Sequence, residues 1–341
     1  TIVHGGNQSM PLSYSNTGAA TSSEVEHTFA VPQDWTKHGV QTLTLWFRGT
    51  VGNTGQLYVK VNGSKVVYDG DAANIRLGGW QAWNIDLASF DVSLQSVTTL
   101  VIGVEGSGAT GTLFLDDIRL YAKARELVTP VQPDPAGLVA QYAFEGNAND
   151  SVGGHHGTAN GGPAYQLGKF GQAIVLDGID DHVVVGSVGI SGTDPRTIAG
   201  WAKASVLGTP AWVNVFGFTG PSVDNVHFDI ELVGDTSTTT LGWYGFHVFG
   251  LEQDIMPIDL EWHHLGASYD GTTLKWYGDG LLIGSQNRTL NTPDNVHVGK
   301  REDNSNFFPG LVDDFRIYNR VLSDAEMAGL AGRTLPFDKP F

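Results

Sequence analysis

Short runs in which apolar and polar residues alternate recur along this chain of 341 residues. In residues 41–48, leucine and phenylalanine alternate with threonine, tryptophan and arginine, which is the period of a β-strand. Residues 56–61 repeat the alternation, and Asn62-Gly63 predicts a tight hairpin turn directly after them. With 45 glycines and 14 prolines between such runs, the pattern predicts an all-β protein built from β-sandwiches.

Helical periodicity is confined to one place near the C terminus. Ser323 and Glu326 have the spacing of a capping box, in which each side chain bonds the backbone N–H of the other residue. We therefore predict that a helix begins at this point.

Two segments of the chain end in almost the same hexapeptide. Asp-Asp-Ile-Arg-Leu-Tyr occupies 116–121, and Asp-Asp-Phe-Arg-Ile-Tyr occupies 313–318. A proline-containing stretch without alternation follows the first copy, as in a semi-stiff linker. We predict two jelly-roll domains at 1–122 and 137–331, joined by a short linker at 123–136, with a loose tail at 332–341.

Composition narrows the range of functions. The absence of cysteine excludes disulfides, thiol chemistry and cysteine-based zinc sites. No apolar run is long enough to span a membrane, and we expect a monomeric, extracellular protein. With no signal peptide and Thr1 in place of methionine, we expect a mature or excised piece of something longer.

The net charge is −17, and it is unevenly spread. Residues 137–331 hold 9 Lys and Arg against 23 Asp and Glu. Such a surface repels nucleic acid and anionic membranes and suits a neutral partner or a cation. Solubility alone is the alternative explanation.

Four motifs of the second domain resemble a known family. They are GLVAQYAFEGNANDSVGGHHGTANGG (137–162), KFGQAIVLDGIDDHVVVG (169–186), EWHHLGASYDGTTLKWYGDGLLIGS (261–285) and LVDDFRIYNRVLSDAEMAGL (311–330). In this order they look like the laminin-G-like, concanavalin A-like jelly roll that is often appended to secreted carbohydrate-active enzymes. The resemblance implies a two-sheet, lectin-type sandwich with a structural calcium site.

The first domain resembles the galactose-binding-like jelly rolls that include many carbohydrate-binding modules. The segments that carry this resemblance are SSEVEHTF (22–29), QTLTLWFRG (41–49), GQLYVKVNG (55–63) and GTLFLDDIRLY (111–121). It implies one calcium ion, with a ligand from the final strand and others near the start of the domain.

Each Asp pair opens an apolar strand, and strict alternation places its first aspartate on the core face. A buried carboxylate needs a partner, and a hard cation with oxygen ligands is one. We expect structural calcium in both domains, with these candidate ligands: Asp116, Glu24 and Glu26 in the first; Asp313, Asn147 and Asp150 in the second. Arginine or backbone N–H partners are the alternative.

Aromatic residues are the candidates for binding sugars, because sugars stack their C–H faces on rings while polar groups bond the hydroxyls. If residues 43–48 pair with 56–61, one outward patch forms in the first domain. Its members would be Trp46, Arg48, Tyr58 and Lys60, with Trp80 at the rim. In the second domain the candidates are Trp243, Tyr244 and His247.

One strand is a candidate for catalysis. His227, Asp229 and Glu231 alternate along it, as in the catalytic strand of jelly-roll glycoside hydrolases, although histidine stands where those enzymes have the nucleophile. Retaining hydrolysis requires two carboxyl groups about 5 Å apart, and Asp229 with Glu231 could supply them.

The sequence therefore favours a non-catalytic tandem that binds a polysaccharide or oligosaccharide. It would be the targeting region of a larger secreted polysaccharide-active enzyme, with the catalytic domain on the same native chain. A hydrolase or lyase with its site in the second sandwich, and a structural or adhesive module without sugar binding, are the alternatives.

Overall fold

The computed structural model describes residues 2–207, 212–234, 242–248, 250–301 and 306–341. The chain divides into two compact units, which we describe separately. The first comprises Thr1–Thr129 with Leu335–Phe341, and the second comprises Pro130–Thr334. Both units are built almost entirely of antiparallel strands, so the predicted all-β class is confirmed.

The first unit contains two four-stranded sheets, in the orders β1-β8-β3-β6 and β2-β7-β4-β5. The strands are β1 (Met10–Ser15), β2 (Ser22–Gln33), β3 (Thr42–Arg48), β4 (Gln56–Val61), β5 (Ser64–Val67), β6 (Gln81–Asp86), β7 (Val97–Glu105), β8 (Thr110–Tyr121) and β9 (Leu127–Val128). Short 3-10 helices lie at Lys37–Gly39, Ala72–Arg76, Leu87–Ser89 and Leu94–Ser96.

The alternation of β3 and β4 produces the core of this sandwich. The apolar side chains of both strands, together with those of β6 and β7, form one buried cluster. Burying one such side chain stabilises the fold by about 1.5–3 kcal/mol. Asn62 and Gly63, both at positive φ, connect β4 to β5, so the predicted hairpin turn is confirmed.

The second unit contains an eight-stranded and a seven-stranded sheet. Its elements are β10 (Leu138–Tyr142), β11 (Thr158–Asn160), β12 (Ala164–Leu167), β13 (Gln172–Asp177), β14 (His182–Gly186), β15 (Arg196–Ala204), β16 (Val213–Phe218), β17 (Phe228–Val233), β18 (Trp243–Val248), β19 (Leu251–Pro257), β20 (His263–Tyr269), β21 (Thr273–Gly278), β22 (Leu281–Asn287), β23 (Val296–Val298), β24 (Pro309–Tyr318) and α1 (Asp324–Leu330).

The seven-stranded sheet has the order β11-β14-β23-β16-β17-β18-β19. The eight-stranded sheet has the order β12-β13-β24-β15-β20-β21-β22, and β10 pairs with β24. One buried cluster takes side chains from both sheets. Helix α1 begins with the predicted capping box of Ser323 and Glu326 and packs with residues of the eight-stranded sheet in a smaller cluster.

The C-terminal tail differs from the prediction. Strand β25 (Phe337–Asp338) pairs with β9, and both of its residues are buried. Arg125 forms ion pairs with Asp69 and Asp338. The prediction of a loose tail is therefore wrong for these residues, because β-pairing and a shared arginine hold them to the first unit. Within the described part of the chain, no helix combines the length and apolar character needed to cross a membrane.

Candidate functional site

The seven-stranded sheet has a polar outer face. Phe228, Ile230 and Leu232 of β17 point into the core, so the alternate residues Asp229 and Glu231 point away from it. Both carboxyl groups are nevertheless 0% exposed. Burying an unpaired carboxylate is costly. The residues around these two groups therefore indicate which partners or ligands this face accommodates.

The first cross-strand row on this face runs through five strands. The register pairs His297 with Gly217, Gly217 with Asp229, Asp229 with His247, and His247 with Glu252. We call this the histidine row. Gly217 leaves the row without a side chain, and a Cβ there would lie 2.6 Å from the Asp229 Cα.

The second row is the carboxylate row. It pairs Asn214 with Glu231, Glu231 with Gly245, and Gly245 with Asp254. Asn214 and Glu231 are fully buried, whereas Asp254 is exposed at the margin of the sheet.

The third row is aromatic and lies at one end of the strands. Val233 pairs with Trp243, and Trp243 pairs with Pro257. Trp212 directly precedes Val213, which faces the core and pairs with Leu232, so alternation places Trp212 on the outer face beside Val233. Trp212 is 43% exposed and Trp243 is half-buried.

Hydrogen bonds link the first two rows. The Asn214 Nδ2 group donates to Asp229 Oδ2 over 2.7 Å. His247 Nδ1 lies 3.1 Å from Asp229 Oδ1 and 3.0 Å from Glu231 Oε1. His227 Nδ1 lies 3.9 Å from Asp229 Oδ1. Two histidines and two carboxyl groups therefore converge in a space closed to solvent.

Burial and neighbouring charges shift the pKa values of Asp229, Glu231 and His247 in different directions. Burial would raise the pKa of Asp229, but His247 and His227 hold it below its ordinary value. Burial and the Asp229 charge raise the pKa of Glu231. Burial would lower the pKa of His247, but the two carboxyl groups raise it to about 10. Asp229 and His247 therefore favour their charged forms beside each other, whereas the charged form of Glu231 is disfavoured.

The three residues proposed for hydrolysis thus lie together, as predicted from the alternation on their strand. His227 is 1% exposed, and Asp229 and Glu231 are fully buried. A glycosidic bond reaches these carboxyl groups only if the outer face rearranges. Of the residues predicted to bind sugar here, Tyr244 faces the core and bonds the Ala204 N–H, and His247 belongs to the buried group.

The sugar patch predicted in the first unit does not form. Strand β3 pairs with β6 and β8, whereas β4 pairs with β5 and β7. Trp46 and Arg48 therefore lie on a different sheet from Tyr58 and Lys60, and the predicted pairing is wrong because strand partners are set by long-range contacts. Tyr58 is 1% exposed and donates to Glu24, which also pairs with Lys60.

Trp46 and Trp80 approach each other through His4. The His4 ring stacks on Trp46 with 3.7 Å between centroids, and it meets Trp80 edge-on at 5.7 Å. Trp80 Nε1 donates to the Val3 carbonyl over 3.0 Å. The two indoles therefore hold the N-terminal segment, and His4 covers one face of Trp46.

The repeated Asp pairs form the same backbone feature twice. Asp117 has φ 43° and Asp314 has φ 44°, and the register of each strand shifts there. Such a bulge reverses the faces of the following residues. The predicted core position of the aspartate is therefore wrong in both strands: Asp116 pairs with Trp46 on the outer face, whereas Leu120 pairs with the core residue Leu43, and Asp313 lies opposite the face of Phe315 and Ile317.

Each first aspartate accepts backbone N–H groups from a loop. Asp116 accepts from His4 and Gly5, and Asp313 accepts from Phe170 over 2.8 Å. A tryptophan lies beside each of them: Trp46 is paired with Asp116, and Trp201 with Asp313. The Lys169 Nζ lies 3.9 Å from the Trp201 ring centroid, much as His4 covers Trp46. The repeated Asp-Asp motif thus anchors a loop in each unit. Backbone N–H groups, which were one of the alternatives to calcium, contact Asp116 and Asp313.

The other predicted calcium ligands have contacts of their own within the chain. Glu24 and Glu26 lie on β2, in the sheet opposite Asp116. Asp150 accepts four backbone N–H groups, from Gln141, Val152, Gly153 and His155, and Asn147 accepts from the Asn149 N–H. These contacts shape loops, and the calcium prediction remains a prediction.

Replacing Asp313 by asparagine distinguishes two roles of this residue, a loop anchor and a calcium ligand. Burial raises the pKa of Asp313 to about 6, so the ionised carboxylate destabilises the folded state at pH 7. Asparagine keeps an acceptor for the Phe170 N–H without the charge. We expect Asp313→Asn to leave the free energy of unfolding at pH 7 unchanged or raise it, by up to about 2 kcal/mol. Calcium that raises the melting temperature of the wild type but not of this variant would contradict the anchor.

Comparison with known proteins finds a family model that matches part of the second unit. The Laminin_G_3 family model, of the concanavalin A-like lectin/glucanases superfamily, matches residues 177–328. No curated protein matches the chain significantly. No comparison tests the galactose-binding-like resemblance of the first unit, which stays a prediction.

Solved structures similar to this chain include one domain of an arabinanase and two binding domains of other proteins. Domain 4 of AbnA, a GH43 extracellular arabinanase from Geobacillus stearothermophilus solved with arabinotriose, is 25% identical over 57% of this chain and 98% of that domain, with a TM-score of 0.46. The binding domain of Paraclostridial Mosquitocidal Protein 1 is 18% identical over 57% of this chain and 52% of that chain, with a TM-score of 0.45. The botulinum neurotoxin serotype D ligand binding domain, in complex with N-acetylneuraminic acid, is 14% identical over 57% of this chain and 50% of that chain, with a TM-score of 0.43.

The chain spans about half the length of the two toxin domains. The two-sheet sandwich and the family match agree with the resemblance predicted from the motifs at 169–186, 261–285 and 311–330. The family match covers residues 177–328, which form most of the second unit, and over this range the chain resembles the concanavalin A-like lectin/glucanases superfamily.

Proposed function

We propose that the second unit is a non-catalytic, lectin-type module that binds carbohydrate on the outer face of its seven-stranded sheet. One observation carries this proposal: two solvent-accessible tryptophans, Trp212 and Trp243, flank Val233 on that face. They stand on strands separated by one other strand, so their backbones lie about 10 Å apart. One extended oligosaccharide can contact both rings.

The neighbouring rows supply polar groups beside the rings. Glu252 and Asp254 are exposed at the margin of the sheet, where their carboxylates can accept hydrogen bonds from sugar hydroxyls. Flat apolar rings beside a few placed polar groups are the usual composition of a small-ligand site. The acidic excess of residues 137–331 disfavours anionic glycans, so we propose a neutral one.

Burial of the carboxyl pair supports binding without hydrolysis. A retaining glycosidase needs one carboxylate in contact with the sugar and a second carboxyl group as the acid. Here Asp229 is tied to Asn214 and His247, and Glu231 has no exposed surface. A targeting role for a secreted polysaccharide-active enzyme remains a prediction from the sequence.

Affinity electrophoresis of the whole chain tests the proposal. We expect at least one neutral polysaccharide among arabinan, xylan, galactan and mixed-linkage glucan to retard the protein in a native gel, whereas alginate and polygalacturonate do not. We expect no reducing ends to accumulate in the same mixtures. Retardation by no glycan would indicate a structural module, and product formation that is lost in Asp229→Asn and Glu231→Gln would indicate a hydrolase.

A further inference from the structure

We propose that His227, Asp229 and His247 bind a divalent transition-metal ion of the zinc type, with Glu231 balancing its charge. The three residues each offer a ligand atom, and these atoms all lie within 4.8 Å of one another. His227 and Asp229 alternate on β17, and the register places His247 of β18 directly beside Asp229. The sheet itself therefore assembles the group.

The spacing of the donor atoms suits a small tetrahedral ion. Zinc binds histidine nitrogen and carboxylate oxygen at about 2.0–2.2 Å, so its ligand atoms lie about 3.3–3.5 Å apart. His247 Nδ1 is 3.1 Å from Asp229 Oδ1, and His227 Nδ1 is 3.9 Å from the same oxygen. Two imidazoles with a carboxylate favour zinc over calcium or magnesium, which prefer oxygen ligands.

A second, independent observation is the state of Glu231. Its side chain is fully buried, its Oε1 has only the 3.0 Å contact with His247, and among the described residues its Oε2 has no hydrogen-bond partner. The Asn214 Oδ1 atom, on the paired strand, also lacks one. Buried polar atoms without partners are rare in folded proteins. Their occurrence on paired residues beside the histidines indicates a polar or charged occupant of this group.

The charge of this group and the hydrogen bond from Asn214 to Asp229 agree with a divalent ion. Two carboxylates and two neutral imidazoles carry a net charge of about −2, which one divalent ion neutralises inside the protein. Asn214 Nδ2 bonds Asp229 Oδ2 over 2.7 Å, which leaves Oδ1 directed at the histidines. Such outer partners orient metal ligands in proteins. The ion would hold β17 to β18 in the row next to the carboxylate row.

Zinc binding by the purified full chain tests this site. After removal of metals with a chelator, we expect calorimetry to show one Zn²⁺ bound per chain and Zn²⁺ to raise the melting temperature. Co²⁺ in its place should give the visible absorption of a tetrahedral site. We expect His247→Gln to abolish this binding. His297→Gln is the matched control, since His297 lies in the same row outside the ligand group, and it should bind Zn²⁺ like the wild type.

Glu231→Gln keeps the test decisive if His247→Gln fails to fold. It preserves shape and removes only the ionisable group, so we expect a normal melting temperature in chelator and about 10-fold to 100-fold weaker Zn²⁺ binding. A wild-type chain that binds no Zn²⁺ would overturn the proposal. Equal Zn²⁺ affinity of the wild type and of either His247→Gln or Glu231→Gln would also overturn it, because the ion would then bind elsewhere.

Discussion

Raising the pH from about 6.5 to about 10 is expected to remove, at about 1.4 kcal/mol per pH unit, the stabilisation that His263 at the start of β20 gives the second unit. His247, whose pKa is also raised to about 10, adds a loss of the same sign. His263 Nδ1 lies 2.9 Å from Asp279 and its Nε2 lies 2.8 Å from Asp259. Burial would lower the pKa of His263, but the two carboxylates outweigh burial and raise the pKa to about 10.

The sign follows from proton binding. The unfolded chain loses the His263 proton near pH 6.5, whereas the folded chain keeps it up to about pH 10. The stabilisation is therefore complete below pH 6.5 and is lost as the pH rises through 10. Two other groups face this ion pair: Tyr244, whose ring lies 5.9 Å from His263, and Arg333, which donates to the Asp279 carbonyl.

His263→Leu isolates the contribution of this ion pair. At pH 7 the variant leaves Asp259 and Asp279 without their shared cation, which we expect to cost about 3 kcal/mol. Calorimetric unfolding of wild type and variant between pH 6.5 and 10 should show the stability difference shrinking with pH. His297→Gln serves as the control, because burial lowers the pKa of His297 to about 4. A difference that stays constant across this range would contradict the assignment.

Removing either outer tryptophan is expected to weaken glycan binding about 30-fold. Loss of an anchoring tryptophan commonly costs about 2 kcal/mol or more of binding free energy. Trp212→Ala and Trp243→Ala each remove one stacking surface, and the double variant should bind no detectable glycan. Calorimetric titration with an oligosaccharide of the retarding polysaccharide measures the loss.

Two controls accompany these variants. Phe170 is an aromatic residue of the same unit that is 50% exposed and contacts Trp201, so Phe170→Ala should bind like the wild type. Trp46→Ala tests whether the first unit contributes to glycan binding. We expect unchanged affinity, because His4 covers one face of that indole. Full binding by the double variant would refute the proposed surface.

Local patterns were sufficient to predict much of this fold. Alternation identified β3, β4 and β17, Asn62-Gly63 identified a hairpin turn, and Ser323 with Glu326 identified the start of α1. Each depends on residues a few positions apart, which the sequence displays directly. The pairing of β3 with β6 and β8 depends on contacts between distant segments. The sequence pattern therefore could not show that Trp46 and Tyr58 lie on different sheets.

The faces of the two Asp-Asp strands failed for a different reason. A single bulge exchanges inward and outward positions for every later residue. Aspartate tolerates the left-handed conformation that Asp117 and Asp314 adopt. The near-identity of the two hexapeptides, each with an arginine two residues after the second aspartate, was the available signal of a shared backbone device.

The candidate site was found in part. Alternation brought His227, Asp229 and Glu231 together correctly, but it could not show that they are buried or that His247 joins them from the next strand. Trp212 was missed, although Trp212 and Asn214 alternate with Val213 and Val215, which face the core. That short pattern is the signal that marks Trp212 as an outer residue.

Indole NMR spectra of the full chain, recorded during titration with a retarding neutral oligosaccharide, test the central claim most directly. The nine tryptophans can be assigned by single Trp→Phe substitutions. We predict that the signals of Trp212 and Trp243 shift with saturation, while those of Trp46 and Trp80 stay in place. Shifts confined to Trp46 and Trp80 would move the sugar site to the first unit and contradict the account.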